Sequence, residues 1–345
     1  MLTRRTILAT GLGAASLPAA GRPVRAQPPA QPPAQAPAQP PAAPEPGWPD
    51  RPVRIVVPFP PGGSTDLLAR QLAEKLNVAL GQTVLVENRA GAGGTTGSDY
   101  VAKSAPDGNT LLMGVTGTHG IAPSLFPNLP YQPLRDFAPV SLMVTAPLVL
   151  VCHPSLPATT LAEFVALAKA RPGTVTYGTP GNGTSMHLTG VLFDLQAGTQ
   201  LVHVPYRGTA GAMNDLVSGQ IQTMFGDLLT VLPQVRAGGI RAIAVTAKAR
   251  NALLPAVPTM DESGLPGFQT LSWQGLFAPA RTPPAIVERL SRETRAAMTA
   301  PDVNGFFAAQ GFAVGGSTPA EFRDLVAAEN TKWAEVVRAG NVRPD

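Results

Sequence analysis

Tyr177-Gly178-Thr179-Pro180-Gly181-Asn182-Gly183-Thr184-Ser185-Met186-His187 is the stretch on which the reading of this chain turns. It follows the strand-like run Thr174–Tyr177 and opens into the helical run Met186–Ala197. A glycine-rich turn between strand and helix presents backbone N–H groups at the positive end of a helix dipole, which suits a negatively charged ligand group. The same order occurs earlier, where Val53–Val57 leads through Pro58–Gly63 into Ser64-Thr65-Asp66 and a second helical run. Two such turns with no catalytic cluster beside them point to capture of an anion rather than its conversion.

Outward from these turns, strand-like and helical runs alternate. Thr65–Leu80, Thr83–Val86, Ser98–Ser104 and Thr110–Val115 follow the first strand. A second series begins after the strand-like Val140–Val144. It comprises Leu148–Cys152, Thr160–Ala170, Leu201–Val204, Gly208–Ser218, Ile221–Phe225, Leu228–Ala237 and Arg241–Thr246. Alternation of this kind predicts an α/β protein with mostly parallel sheets flanked by helices. Residues 148–270 are expected to form one lobe, and residues 48–147 with 271–345 the other. Two strand crossings would join the lobes as a hinge, with a ligand cleft between them at the carboxyl ends of the strands. Ser272–Ala278 reads as a strand, Pro283-Pro284 starts the helix Ala285–Thr299, and Thr318 caps a last helix, Pro319–Arg338.

The N-terminal region reads as an export signal over residues 1–26. Thr3-Arg4-Arg5-Thr6-Ile7-Leu8 has a twin-arginine look, a weakly apolar run continues to Ala20, and Val24-Arg25-Ala26 supplies small residues for cleavage. The apolar run is shorter than the ~20 residues a membrane span requires. The chain carries 26 Lys+Arg and 22 Asp+Glu, and four of the arginines lie in the signal, which holds no acid. The exported remainder is therefore balanced at 22 of each sign and has no nucleic-acid footprint. Residues 27–47 form a Pro/Ala/Gln tract with nine prolines, too poor in apolar residues for a core and suited to an extended linker. Cys152, the single cysteine, sits in an apolar run and reads as a buried structural thiol, so no disulfide forms within the chain.

Candidate contacts lie in the loops that end strands. Gly62 and Gly63 let the backbone approach a ligand closely, and Ser64 or Thr65 caps the helix and offers a hydroxyl. Asp66 either answers the helix dipole or accepts a ligand ammonium or hydroxyl. Thr116 and His119 follow the strand Thr110–Val115, and Thr179, Gly183, Thr184 and His187 belong to the opening stretch, where His187 either hydrogen-bonds its own loop or faces the ligand. Tyr206 either closes over the ligand or packs at an interface, and Asp227 either caps the helix after it or reaches the cleft. Gly91-x-Gly93-x-x-x-Gly97 has the wrong spacing for a dinucleotide fingerprint, and it reads as a turn that shapes the cleft. No Walker A sequence, no GxSxG elbow and no HxxxH pair occurs, so neither a metal nor another cofactor is expected.

These motifs together resemble the tripartite tricarboxylate transporter substrate-binding family, the Bug receptors. The resemblance rests on Pro58–Asp66, Glu87–Gly94, Tyr177–Thr184, Val204–Gly208 and Met224–Asp227, and it spans roughly Trp48 to Arg338. It implies a periplasmic two-lobed binding protein of the type II-like fold, not an enzyme. Such a receptor closes around a small carboxylate (a di- or tricarboxylate, an amino acid or an aromatic acid) and delivers it to membrane permease subunits. On that pattern Gly62, Gly63, Ser64 and Asp66 face one end of the ligand, and Thr179, Gly183, Thr184 and His187 the other. A monomer is expected. A sensory protein feeding a signalling partner would share the same cleft, and an exported hydrolase or lyase is the weaker alternative. Pro60-Pro61 departs from the small residue usual before the glycine pair, which narrows or stiffens the first loop.

Overall fold

The computed structural model describes residues 47–344. The expected export signal and all of the proline tract but Gly47 lie outside these residues. In chain order the first elements are β1 (Val53–Val57), α1 (Ser64–Leu80), β2 (Val84–Asn88), α2 (Thr95–Ala102), β3 (Thr110–Val115), α3 (Ala122–Leu125) and α4 (Pro133–Asp136). A π-helical turn, Thr116–Ile121, links β3 to α3. Then come β4 (Phe137–Cys152), α5 (Leu161–Ala170), β5 (Thr176–Thr179), α6 (Ser185–Ala197), β6 (Val202–Pro205) and α7 (Thr209–Val217). The chain ends with β7 (Thr223–Asp227), α8 (Leu228–Arg236), β8 (Arg241–Val245), β9 (Leu271–Pro279), α9 (Pro284–Thr299), α10 (Pro301–Ala309), β10 (Ala313–Val314) and α11 (Pro319–Ala339).

The helices form for local reasons. In α1, Leu68, Leu72, Leu76 and Leu80 recur every four residues and bury one stripe. Gly81 then stops it in the left-handed conformation, φ 66°, that glycine adopts without strain. A capping box between Thr160 and Glu163 starts α5, and one between Thr318 and Glu321 starts α11.

Parallel pairing holds wherever a helix returns the chain to the same end of a sheet. β2, β1 and β3 are mutually parallel in that order, and so are β6, β5 and β7. The long strands run the other way: β9 is antiparallel to β3 and β4, and β4 is antiparallel to β7, β8 and β10. Both sheets are therefore mixed, because β4 and β9 carry the chain between them instead of returning through a helix. Val140–Val144 and Leu148–Cys152, expected as separate strands, are parts of the single strand β4. Its prolines sit where a missing N–H is tolerated: Pro139 at a bulge and Pro147 at the last pairing with β9.

One apolar core gathers around Leu148–Cys152 with Phe164, Phe193, Phe225 and Phe268, and Cys152 is fully buried in it. A second core joins Ile55, Leu72, Leu111, Met143, Leu276 and Leu290. A smaller cluster sets Leu188 of α6 against Trp333 and Val337 of α11, with Ile121 and Leu125. The last helix thus packs on the element that follows the glycine-rich turn. Where β4 and β9 pass between the sheets, the buried Thr246 ties them together. Its hydroxyl accepts from the Leu148 amide at 2.9 Å and donates to the Thr270 carbonyl at 2.7 Å. Among the described residues no helix is long and apolar enough to cross a membrane.

Candidate ligand-binding cleft

A cavity of about 530 Å³ opens where the ends of β1, β5, β6 and β7 converge on helix starts. Its wall includes Gly62, Gly63, Ser64 and Asp66 from the first loop, Thr184 from the second, and Asp227. The size lies within the range of small-molecule sites. Among the described residues no Lys, Arg or His contributes to the wall.

Polarity comes instead from helix ends. The first backbone N–H groups of an α-helix have no partner within it. No side chain caps α1 or α7, whose N-caps are Gly63 and Gly208. In α6 the Thr184 hydroxyl takes only the His187 amide, at 3.3 Å, leaving those of Ser185 and Met186. All three of these helix starts border the cavity. Such amides carry partial positive charge where anions bind.

Asp66 shapes this wall from behind. Its carboxylate takes the Gly62 amide at 3.0 Å, Arg70 through two bonds at 2.9 and 3.0 Å, and Asn88 at 2.9 Å. Burial works to raise its pKa. The bonds from Arg70, Gly62 and Asn88, with the Arg70 charge, outweigh that and hold it below the ordinary carboxylate range. With these acceptors engaged, Asp66 pins the first loop to α1 rather than offering itself to a ligand ammonium. Ser64 Oγ accepts from Gln274 Nε2 at 3.2 Å, a contact from β9 across the cavity floor.

Asp227 meets both readings made of it. Its Oδ1 caps α8 by accepting from the Thr230 amide at 3.0 Å and from the Thr230 hydroxyl at 3.1 Å, while the residue borders the cavity. Burial raises its pKa, and the two Thr230 bonds oppose that only in part.

Six expected contacts stand away from the cavity wall: Thr116, His119, Thr179, Gly183, His187 and Tyr206. Thr116 is buried, and its hydroxyl accepts the Trp273 amide at 2.8 Å, joining the π-helical turn to β9. His119 is enclosed by aromatic rings, stacked on Phe277 with centroids 4.1 Å apart and edge-on to Phe137 at 4.7 Å. Burial drops its pKa to about 3, so it is a neutral core group. Thr179 bonds His203 Nε2 at 2.7 Å and the Gly181 amide at 3.2 Å, bracing the second loop from within. His187 accepts the Gly183 amide on Nδ1 at 3.2 Å and stacks on His203 at 3.9 Å. It faces a separate shallow groove bounded by Gly340, Val342 and Arg343. Gly183 holds φ 76°, and its Cα faces Leu125, so a Cβ would come within 2.8 Å of that side chain. Tyr206 donates to Asp215 at 2.6 Å. Burial first, then that bond, pushes its pKa up to about 12.

Other wall residues were not among the expected contacts. Gly208 and Thr209 follow the same strand–glycine–helix order as the first loop, a signal that was there to be used. Phe59, Met186, Met213 and Gln274 carried none, since an apolar or amide side chain near a strand end is ordinary. The glycine turn Ala92–Gly94 approaches the second loop, where a Cβ on Gly93 would stand 2.9 Å from the Asn182 carbonyl.

The model of the tripartite tricarboxylate transporter family receptor matches residues 68–342. The chain belongs to this family. The family is one of solute-binding receptors. BugT of Bordetella pertussis is 42% identical over 292 residues, 84% of this chain and 90% of that protein. Rpa4515 of R. palustris, solved with adipate, superposes with a TM-score of 0.82 at 34% identity, covering 86% of this chain and all of that one. MatC (Rpa3494) from Rhodopseudomonas palustris, solved with bound malate, gives a TM-score of 0.80 at 36% identity over 84% of this chain and 100% of that one.

Proposed function

We propose that this receptor is an exported, periplasmic protein that captures a small carboxylate in the cavity and hands it to the permease subunits of a membrane transporter. The observation that carries the reading is the convergence of three incompletely capped helix starts on a cavity to which, among the described residues, no cationic side chain contributes. Backbone amides are then the anion donors at hand. Two solved relatives hold carboxylic acids, adipate in one and malate in the other.

In this reading the loop from Gly62 to Thr65 grips a carboxylate with amides and the Ser64 hydroxyl. Thr184–Met186 and Gly208–Ala210 close on the ligand from the opposite side. Asp66, Thr179, Gly183 and His187 hold those loops in place, and Asp227 faces the part of the ligand away from the gripped carboxylate. Charge-assisted hydrogen bonds contribute ~1.5–3 kcal/mol each. Four of them supply roughly 6–12 kcal/mol, and a sheltered helix N-terminus adds up to ~2 kcal/mol. Together these span the roughly 8 kcal/mol of micromolar binding after the cost of immobilisation and closure. The crossings at Pro147–Leu148 and Thr270–Leu271 serve as the hinge, held in register by Thr246.

Isothermal titration of the purified protein against a panel of carboxylic acids tests this. The expected result is one saturable site of micromolar or tighter affinity, with the ligand recovered unchanged. Failure of every acid to bind, or accumulation of a product, would overturn it.

A further inference from the structure

We propose that the ligand carries an ammonium group in addition to its carboxylate, and that Asp227 is the residue that selects for it. The proposal rests on the carboxylate reading above and narrows it to amino acids, including those whose amine is not on the α-carbon.

The unused oxygen of Asp227 is the main ground. Both Thr230 donors, the amide at 3.0 Å and the hydroxyl at 3.1 Å, land on Oδ1. They fix the carboxylate from behind. Among the described residues no hydrogen bond reaches Oδ2, and no cation acts on the group. The residue is 5% exposed and borders the cavity, so Oδ2 is held without being sealed in the core. A carboxylate this deeply buried is costly to keep charged unless a cation pairs with it. Burial accordingly raises its pKa. The other wall carboxylate, Asp66, already has Arg70. A ligand ammonium would give Asp227 the same kind of partner.

Gln274 points the same way. It is 4% exposed on the same wall, its Nε2 donates to Ser64 Oγ at 3.2 Å, and its buried Oε1 has no donor among the described residues. The wall thus offers two acceptors in want of donors. Helix-start amides on both sides of the cavity can take one ligand carboxylate or two, so the number of carboxylates is not fixed by the wall. An ionised carboxylate brings acceptors only, whereas an ammonium brings donors only. No added carboxylate supplies what Oδ2 lacks.

Titration calorimetry with matched pairs tests this on the purified protein. Aspartate is set against succinate, glutamate against glutarate, 4-aminobutyrate against butyrate, and phenylalanine against 3-phenylpropanoate. In at least one pair the amino acid should bind ten-fold or more tightly than its amine-free partner. Malate, with a hydroxyl where aspartate has its amine, should bind more weakly than the preferred amino acid. Asp227→Asn preserves an N-cap oxygen but replaces the charge. It should weaken the preferred amino acid at least twenty-fold and the amine-free partner less than three-fold. Retained binding of that partner shows that the variant is folded, and equal losses for the two would remove Asp227 from the selection. An advantage below ten-fold in every pair, or malate matching the best amino acid, would overturn the inference while leaving the carboxylate reading intact. The same result is expected if a protonated Asp227 donates to a second ligand carboxylate. Binding of no acid at all would overturn both.

Discussion

Thr246 and Thr270 are joined twice: the Thr246 hydroxyl donates to the Thr270 carbonyl at 2.7 Å, and the Thr270 amide donates to the Thr246 carbonyl at 3.1 Å. The same hydroxyl accepts the Leu148 amide. One fully buried side chain therefore joins β4 to the residue that leads into β9. Thr246→Val keeps the shape but leaves the Leu148 N–H without this acceptor. A buried donor left unsatisfied costs about 1–3 kcal/mol. Urea denaturation should show a loss of that size, and Thr246→Ser should recover most of it. Equal stability of wild type and Thr246→Val would remove the clamp from the account.

Asp66 is expected to matter to binding without touching the ligand. Asp66→Asn keeps an oxygen for the Gly62 amide but gives up the charge that holds Arg70 in two bonds. The first loop should loosen, and affinity for the best acid should fall about ten-fold, a difference of ~1.4 kcal/mol. Titration of the variant and the wild type with the same acid reads this directly. If Asp66 instead accepted a ligand ammonium, amino acids alone would lose affinity.

Acid sensitivity should trace to buried histidine. Burial lowers the pKa of His119 to about 3, and burial aided by the His203 charge does the same for His187. The unfolded chain takes up these protons near pH 6.5, whereas the folded protein does not. Stability is thus full above pH 6.5 and declines as pH falls from there towards 3. Between pH 7 and pH 5 each histidine accounts for about 2 kcal/mol of that decline. His119→Phe, which keeps the ring stack on Phe277, should lose about 2 kcal/mol less than wild type over the same interval. Parallel slopes in chemical denaturation at the two pH values would refute it.

Gly183 combines a left-handed backbone, φ 76°, with no room for a side chain beside Leu125. A β-branched residue there meets both obstacles, the strained backbone and the 2.8 Å approach. Gly183→Val should therefore displace the second loop and weaken acid binding at least ten-fold. Gly173 also has positive φ, 71°, but open space within 4 Å of where a Cβ would stand, so Gly173→Val should strain only its own turn. Equal affinities for the two variants would show that contact with Leu125 is immaterial.

Much of the local architecture was legible in residue order. The stripe Leu68–Leu72–Leu76–Leu80, the Thr318–Glu321 box and the glycine turns before α1 and α6 each act within a few residues. The same locality made Asp66 ambiguous: Arg70 lies one helical turn on, but Asn88 reaches Asp66 from the next strand. His119 misled for a related reason. It follows a strand that ends near the cleft, yet the rings around it come from Tyr131, Phe137 and Phe277. His187 begins the helix that borders the cavity, but its ring turns toward His203.

Residue order by itself determined the α/β alternation and the positions of the helix starts, because hydrogen bonding and burial periodicity act over one or two turns. Tertiary structure decided which flank of each loop faces the cavity. That choice depends on β4 and β9 running antiparallel between two otherwise parallel sheets, which brings Gln274 to Ser64 and Thr246 to Leu148 across long chain separations. Distant pairing of this kind is set by how whole layers pack, a property no short window of residues contains.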